Sequence, residues 1–159
     1  MTVKSLELFS FRNYETLRTE FSPGVNVIYG DNAQGKTNLL EAVEFLSGCR
    51  SHRARTDKEL ISFGAEQAAV RAAVESRNRD FHVEITLSRG KRRSLLLNGV
   101  RQKTAAELSG VLHTVLFCPE DLALIQDGGS ARRRFLDSSI CQLRPRYTSA
   151  LSEYARLFT

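Results

Sequence analysis

Gly30-Asp31-Asn32-Ala33-Gln34-Gly35-Lys36-Thr37 fits the pattern G-x-x-x-x-G-K-[ST]. Each residue type has a chemical reason at that spacing. Gly30 and Gly35 permit backbone conformations and a close approach that a Cβ obstructs. The amide N–H groups of the loop can then point inward at phosphate oxygens, and a helix that starts where the loop ends adds its positive terminus. Lys36 supplies a point charge to the outer phosphates of a nucleoside triphosphate. The Thr37 hydroxyl is placed to ligate Mg²⁺. The bland alternative is a glycine turn before a helix that carries a surface lysine. The motif does not distinguish ATP from GTP, and it brings no general base. Downstream of it no apolar run ends in Asp-Asp or Asp-Glu. Phe117-Cys118-Pro119-Glu120-Asp121 is the nearest candidate, with a proline between its apolar residues and its acids.

Such a loop works only between a buried strand and an amphipathic helix, and the flanking sequence predicts both. Val25 to Tyr29 is a compact apolar run before glycine and reads as the buried strand. From Thr37 the period becomes helical. Leu39, Leu40, Val43 and Leu46 share one face, and Gly48 is a stop. Upstream, Val3 to Phe9 and Leu17 to Phe21 read as strands, with Ser22-Pro23-Gly24 a turn. Arg50 to Thr56 is polar, basic and loop-like. Val70 to Val74, Phe81 to Leu87 and Arg93 to Leu97 read as strands, and Asn98-Gly99 predicts a tight hairpin that returns through Val100 to Lys103. Val111 to Phe117 reads as another strand and Pro119 as the opening of a short helix. From Ser130 the pattern is helical, with Leu136, Ile140, Leu143, Tyr147, Leu151 and Tyr154 in one stripe. That stripe suits either a partner helix or an ordinary amphipathic helix. Pro145 predicts a break within it, and the pattern reaches Thr159 without a stop signal, as in a fragment.

The chain has 159 residues and a formal charge of +5, which suggests one domain or part of one, with a weak bias toward a polyanionic partner. No run has the roughly 18 apolar residues of a membrane span. The first residues carry charges in place of an apolar leader core, so the expected location is the cytoplasm. Cys49, Cys118 and Cys141 have no metal-ligand spacing and are expected to be reduced, packed thiols. Arginines and lysines gather at Arg50, Arg53 and Arg55, at Lys91 to Arg93 with Arg101 and Lys103, and at Arg132, Arg133 and Arg134. Each cluster alone reads as a solvated face; together they suit phosphate contacts with duplex DNA without base reading.

Several stretches in order carry a resemblance: Leu8-Phe9-Ser10-Phe11-Arg12-Asn13-Tyr14, the loop continuing as Thr37-Asn38-Leu39-Leu40-Glu41-Ala42, Arg50-Ser51-His52-Arg53 with Asp57 to Ile61, Phe117 to Leu122, and Arg132 to Asp137. The set resembles the N-terminal part of the RecF family of bacterial repair ATPases, whose fold is similar to SMC-type ATPase heads. The resemblance implies an α/β fold: a P-loop NTPase head of ABC/SMC type with a mixed sheet, an antiparallel β subdomain and a C-terminal helical arm. Residues 1–129 would be the N-terminal part of the head and 130–159 the start of the arm, with Walker B and signature motifs beyond the chain. It implies ATP and Mg²⁺ as ligands, held by Gly30, Asp31, Asn32, Ala33, Gln34, Gly35, Lys36, Thr37 and Asn38. Arg12 and Asn13 would approach the nucleotide, or else Arg12 is a solvated turn residue. Arg53 would lie in a basic loop near phosphates or DNA, Arg132, Arg133 and Arg134 would touch DNA, and Gln126 would take the part of a Q-loop glutamine. The implied activity is weak, DNA-stimulated ATP hydrolysis by the complete protein, in recombinational repair and replication-fork maintenance, with this chain alone inactive. The implied partners are double-stranded DNA and single-/double-strand junctions, an ATP-dependent homodimer, and RecR- and RecO-type repair proteins, with no membrane. The other reading is a P-loop small-molecule kinase or GTPase. A GTPase calls for an N-K-x-D motif, which the sequence lacks, whereas Arg132 to Arg134 could imitate a kinase lid.

Overall fold

The structure is a computed structural model that describes residues 1–108, 110–122 and 128–157. Period-two alternation builds its main element. In β3 (Gln67–Ser76), Ala68, Val70, Ala72, Val74 and Ser76 are buried while the residues between them face outward. β1 (Thr2–Phe11) and β4 (Arg79–Ser88) flank β3, β2 (Tyr14–Glu20) lies outside β1, and β5 (Ser94–Leu97) and β6 (Val100–Gln102) complete the order β2-β1-β3-β4-β5-β6. Every neighbouring pair is antiparallel. The β5–β6 turn is the expected tight one: Asn98 and Gly99 have φ of 50° and 76°, and the Asn98 Oδ1 accepts a hydrogen bond of 2.7 Å from the His82 amide.

The loop helix α1 (Lys36–Gly48) joins the buried core of this sheet. Leu39, Ala42, Phe45 and Leu46 belong to the same apolar cluster as Leu6, Leu8, Phe11, Val70 and Ile85. The expected helical face is turned slightly. Leu40 is 44% exposed, while Glu41 is completely buried. Helices α2 (Gly129–Leu143) and α3 (Pro145–Leu157) follow, separated at Arg144 as Pro145 predicts. The expected stripe is only partly covered: Ile140, Tyr147 and Leu151 are half-buried, whereas Leu136, Leu143 and Tyr154 are exposed. All three cysteines are free thiols. Burial pushes the Cys49 thiol up to about 11, against the opposing charge of Arg93, so it is a packed, unreactive group.

Two expected strands do not form. Val25 to Tyr29 is extended but has no ladder partner among the described residues, and Val25, Val27 and Tyr29 are 78–90% exposed. Val111 to Phe117 forms no ladder among the described residues, beyond a single bridge position at Leu112. Val111 and Leu112 are buried, but Val115 and Phe117 point into solvent. An apolar run encodes readiness to extend, but a strand exists only where another backbone accepts its hydrogen bonds. The expected mixed sheet is for the same reason a purely antiparallel one among the described residues.

Burial separates two leucines that the sequence places on one face. Leu46→Ala is expected to destabilise the chain by about 2–5 kcal/mol, because it empties a packed site. Leu40→Ala is expected to change stability by less than about 0.5 kcal/mol. Urea unfolding followed by circular dichroism measures both.

Candidate nucleotide-binding site

The phosphate loop carries positive φ at Gly30 (145°), Ala33 (65°) and Gly35 (97°). A Cβ on Gly35 would stand 2.7 Å from the Asn13 side chain and 3.0 Å from the Tyr14 ring, so glycine is required there by space as well as by φ. Gly35 is also the N-cap of α1, and it offers no side chain to the first helical amides. No acidic residue occupies the first turn. The first amides of α1 therefore have neither an intrahelical acceptor nor a cap, the condition under which a helix start receives an anion. The Lys36 ammonium folds back and donates to the carbonyls of Gly30 (2.8 Å) and Asp31 (2.6 Å), drawing the loop around its own charge. Asp31, Asn32, Ala33, Gln34 and Thr37 are exposed along the loop.

Three segments brace this loop. The β1–β2 turn supplies Arg12, Asn13 and Tyr14. The Tyr14 hydroxyl donates to the Gly35 carbonyl (3.1 Å), and the Asn38 side-chain Nδ2 donates to the Asn13 Oδ1 (2.8 Å). The turn is itself held by backbone bonds from the Arg12 amide to the Leu60 carbonyl and from the Ser62 amide to the Ser10 carbonyl, each 2.8 Å. The basic loop supplies Arg53, whose guanidinium donates to the Asn38 Oδ1 (2.9 Å). Arg12, Asn13, Asn38 and Arg53 border one open cavity of about 440 Å³ beside the start of α1.

Glu41 ties these segments together. Its buried carboxylate accepts two hydrogen bonds from Arg12, at 2.9 and 2.7 Å, and one from the Ser51 hydroxyl, and Arg53 lies 3.8 Å away. Burial pushes this carboxyl's pKa up. The bonds from Arg12 and Ser51 and the charges of Arg12 and Arg53 outweigh it and hold the group below its ordinary value of 4.5. The Arg12 Nη1 donates to the Glu59 carbonyl at 2.9 Å. The sequence reading missed Glu41, because an acid inside a helical pattern reads as a solvent-facing residue. The only signal was positional: it falls beside Ala42 and one turn before Phe45. Tyr14 and Ser51 were missed as site residues too.

The other expected residues are more scattered. Arg53 and Arg134 border one cleft of about 920 Å³ with Arg50, Arg55 and Arg93. Arg132 and Arg133 are exposed but do not line it, and the Arg133 guanidinium lies over Gly129. The Asp121 carboxylate accepts a hydrogen bond of 2.8 Å from the Cys118 amide, so it closes its own turn. Gln126 lies outside the described residues.

Removing Arg12 would leave Glu41 buried with only the Ser51 hydroxyl and the more distant Arg53 to offset its charge. Arg12→Ala is therefore expected to cost about 3–5 kcal/mol at neutral pH. The native chain keeps the stabilisation from Glu41 above the ordinary carboxylate value and loses it as pH falls through the lower folded value. In the variant the two bonds and the charge of Arg12 are gone, burial is opposed only by Ser51 and Arg53, and the carboxyl's pKa rises relative to the native chain, so protonation relieves part of the defect. Denaturant unfolding between pH 7 and pH 4 should show the gap between the two proteins narrowing as pH falls.

Comparison with known proteins agrees with this geometry. Residues 2–126 match the model of the RecF/RecN/SMC N terminal domain. The chain is 43% identical over 157 residues to the DNA replication and repair protein RecF of Lachnoclostridium phytofermentans, covering 99% of this chain and 44% of that protein. It is 46% identical over 154 residues to RecF of Streptococcus uberis, covering 97% of this chain and 42% of that one. The chain thus spans less than half the length of these curated relatives. The solved structure of the recombination mediator protein RecF-ATP in the RecFOR pathway superposes with a TM-score of 0.91 at 36% identity, over 97% of this chain and 42% of that one. A structure from work on ATP-driven dimerisation and DNA-stimulated activation of SMC ATPases shares the fold, with a TM-score of 0.69, 24% identity and coverage of 86% and 98%. These likenesses give the fold as that of a RecF/SMC-type α/β ATPase head and leave nothing to favour a small-molecule kinase or a GTPase. The chain belongs to the RecF/RecN/SMC N-terminal domain family.

Proposed function

We propose that this chain is the nucleotide-binding part of a RecF-type ATPase that binds DNA under the control of ATP in recombinational repair and replication-fork maintenance. The observation that carries the reading is the uncapped start of α1, with Lys36 beside it and no acid in the first turn. The residues fit a nucleoside triphosphate. The loop from Gly30 to Gly35 can bend around phosphates, the amides of Lys36, Thr37 and Asn38 can donate to them, and Lys36 can exchange two carbonyls for phosphate oxygens. The exposed Thr37 hydroxyl provides a ligand for Mg²⁺, whose chemistry is to neutralise charge on the phosphates.

The relatives' names support the remainder of the reading: RecF proteins of DNA replication and repair, and a RecF-ATP complex of the RecFOR pathway. In it, residues 1–129 form part of the head and 130–159 begin a helical arm. ATP brings two copies together, RecO- and RecR-type proteins are the partners, and junctions of single- and double-stranded DNA are the target. The work is cytoplasmic. Asn13 and Asn38 position the loop. Arg12 serves the nucleotide through Glu41 and the turn. Arg53, Arg132, Arg133 and Arg134 meet DNA phosphates. Hydrolysis requires a carboxylate that orients water; Asp121 is engaged with the Cys118 amide, and the 159 residues alone are expected to bind Mg·ATP weakly at best and not to turn it over.

Lys36→Ala is expected to weaken binding of a fluorescent ATP analogue by about 1.5–3 kcal/mol, the worth of a charge-assisted contact. Unchanged affinity would remove the reading. Arg132, Arg133 and Arg134 changed together to Glu should weaken duplex binding and reduce its salt dependence by about one unit of slope per lost phosphate contact, measured by fluorescence anisotropy. An unaltered slope returns the cluster to a solvated face.

A further inference from the structure

The far end of the sheet holds a cavity of about 570 Å³ where the β3–β4 hairpin meets the segment after Gly110 and the end of α2. Its chemistry breaks the pattern of the sheet. Ser76 pairs with Arg79 and Val74 with Phe81, so register puts all four on the face that elsewhere carries the apolar core. At the hairpin end that face presents a serine and an arginine in place of aliphatic side chains. The opposite face holds the acids: Glu75 and Asp80 face each other across the strands, and both bind the Lys4 ammonium, at 3.0 and 2.8 Å. The carboxylates here thus lie on the opposite face, paired with Lys4, and the cavity side carries Arg77 and Arg79 without an acid among the lining residues.

Of the polar side chains at the cavity, Gln142 is engaged with the Thr114 backbone, but four others have unused groups. Arg77 and Arg79 line it, and neither guanidinium has an ion-pair partner among the described residues. Ser76 is 1% exposed, and its hydroxyl has no hydrogen-bond partner among the described residues. The Nε2 of His113, on the facing wall, is buried and equally unpartnered. A buried polar atom without a partner costs about 1–3 kcal/mol, so two of them beside two free guanidiniums call for a ligand that accepts several hydrogen bonds and carries negative charge. Phe81 adds an aromatic wall, and the volume lies in the range of small-molecule sites.

We propose that this cavity binds the phosphate group of a nucleotide, free or within a nucleic-acid strand. Arg77 and Arg79 hold the phosphate at the mouth, Ser76 and His113 supply donors at the floor, and Phe81 lies against the attached nucleoside. The site is separate from the phosphate loop and stands whether or not that loop binds ATP.

The test uses the Lys36→Ala form of this chain, to weaken phosphate binding at the loop, and follows its histidine ring resonances by NMR. AMP and a short oligothymidylate are added in separate titrations. The His113 resonances should move to saturation with at least one of them, while those of His82, on the outer face of β4, stay still. A response to AMP alone assigns the site to free nucleotides, and a response to the oligonucleotide assigns it to a strand. Adding Arg77→Gln and Arg79→Gln, both at the surface, should weaken the response roughly tenfold or more. Still His113 resonances with both ligands, or an identical titration in the glutamine variant, would overturn the proposal.

Discussion

A carboxylate with no access to water sits one turn into the helix that follows the phosphate loop. Unpaired, such a charge is untenable in a protein interior, so the surroundings of Glu41 must bring cations and donors to it from elsewhere in the chain. Arg12 comes from the β1–β2 turn, and Ser51 and Arg53 from the basic loop. Meeting one electrostatic requirement thereby fixes three segments against one another. The turn places Asn13 and Tyr14 against Gly35, and the basic loop places Arg53 on Asn38. The geometry of the phosphate loop is in this sense a consequence of a charge buried beneath it.

The loop is closed on its own lysine. The carbonyls of Gly30 and Asp31 occupy the ammonium that a triphosphate would require. Binding on this account is an exchange of two neutral acceptors for charged ones, favourable because the ammonium gains direct Coulomb attraction to the phosphate charge. The amides at the start of α1 need no such exchange, because Gly35 leaves them uncapped. Since Arg53 touches Asn38 and also borders the cleft that contains Arg134, the same side chain connects the candidate nucleotide site to that arginine-lined cleft.

Local features were legible in the sequence. The loop motif is contiguous, the alternation of β1, β3 and β4 repeats over enough residues to be unambiguous, and Asn98-Gly99 specifies its turn by backbone conformation alone. Features set by distant partners were not. Val25 to Tyr29 and Val111 to Phe117 have the composition of strands, but the ladder that would make them so is a property of other segments. Glu41 has the type of a surface residue, and its burial depends on partners remote in sequence, Arg12 29 positions earlier and Ser51 and Arg53 in the basic loop. Arg12 was read as a nucleotide contact or a solvated residue, and its bidentate bond to Glu41 is a role that no local pattern announces.

The central claim is that the start of α1 is an anion site held ready by its braces. Backbone amide chemical shifts during a titration with Mg·ATP test it most directly. The account predicts that Gly35, Lys36, Thr37 and Asn38 shift first and together, with smaller shifts at Asn13 and Arg53 through their side-chain contacts. Shifts that spare Gly35 to Asn38 while appearing elsewhere in the chain, or no saturable shift at all, would contradict it.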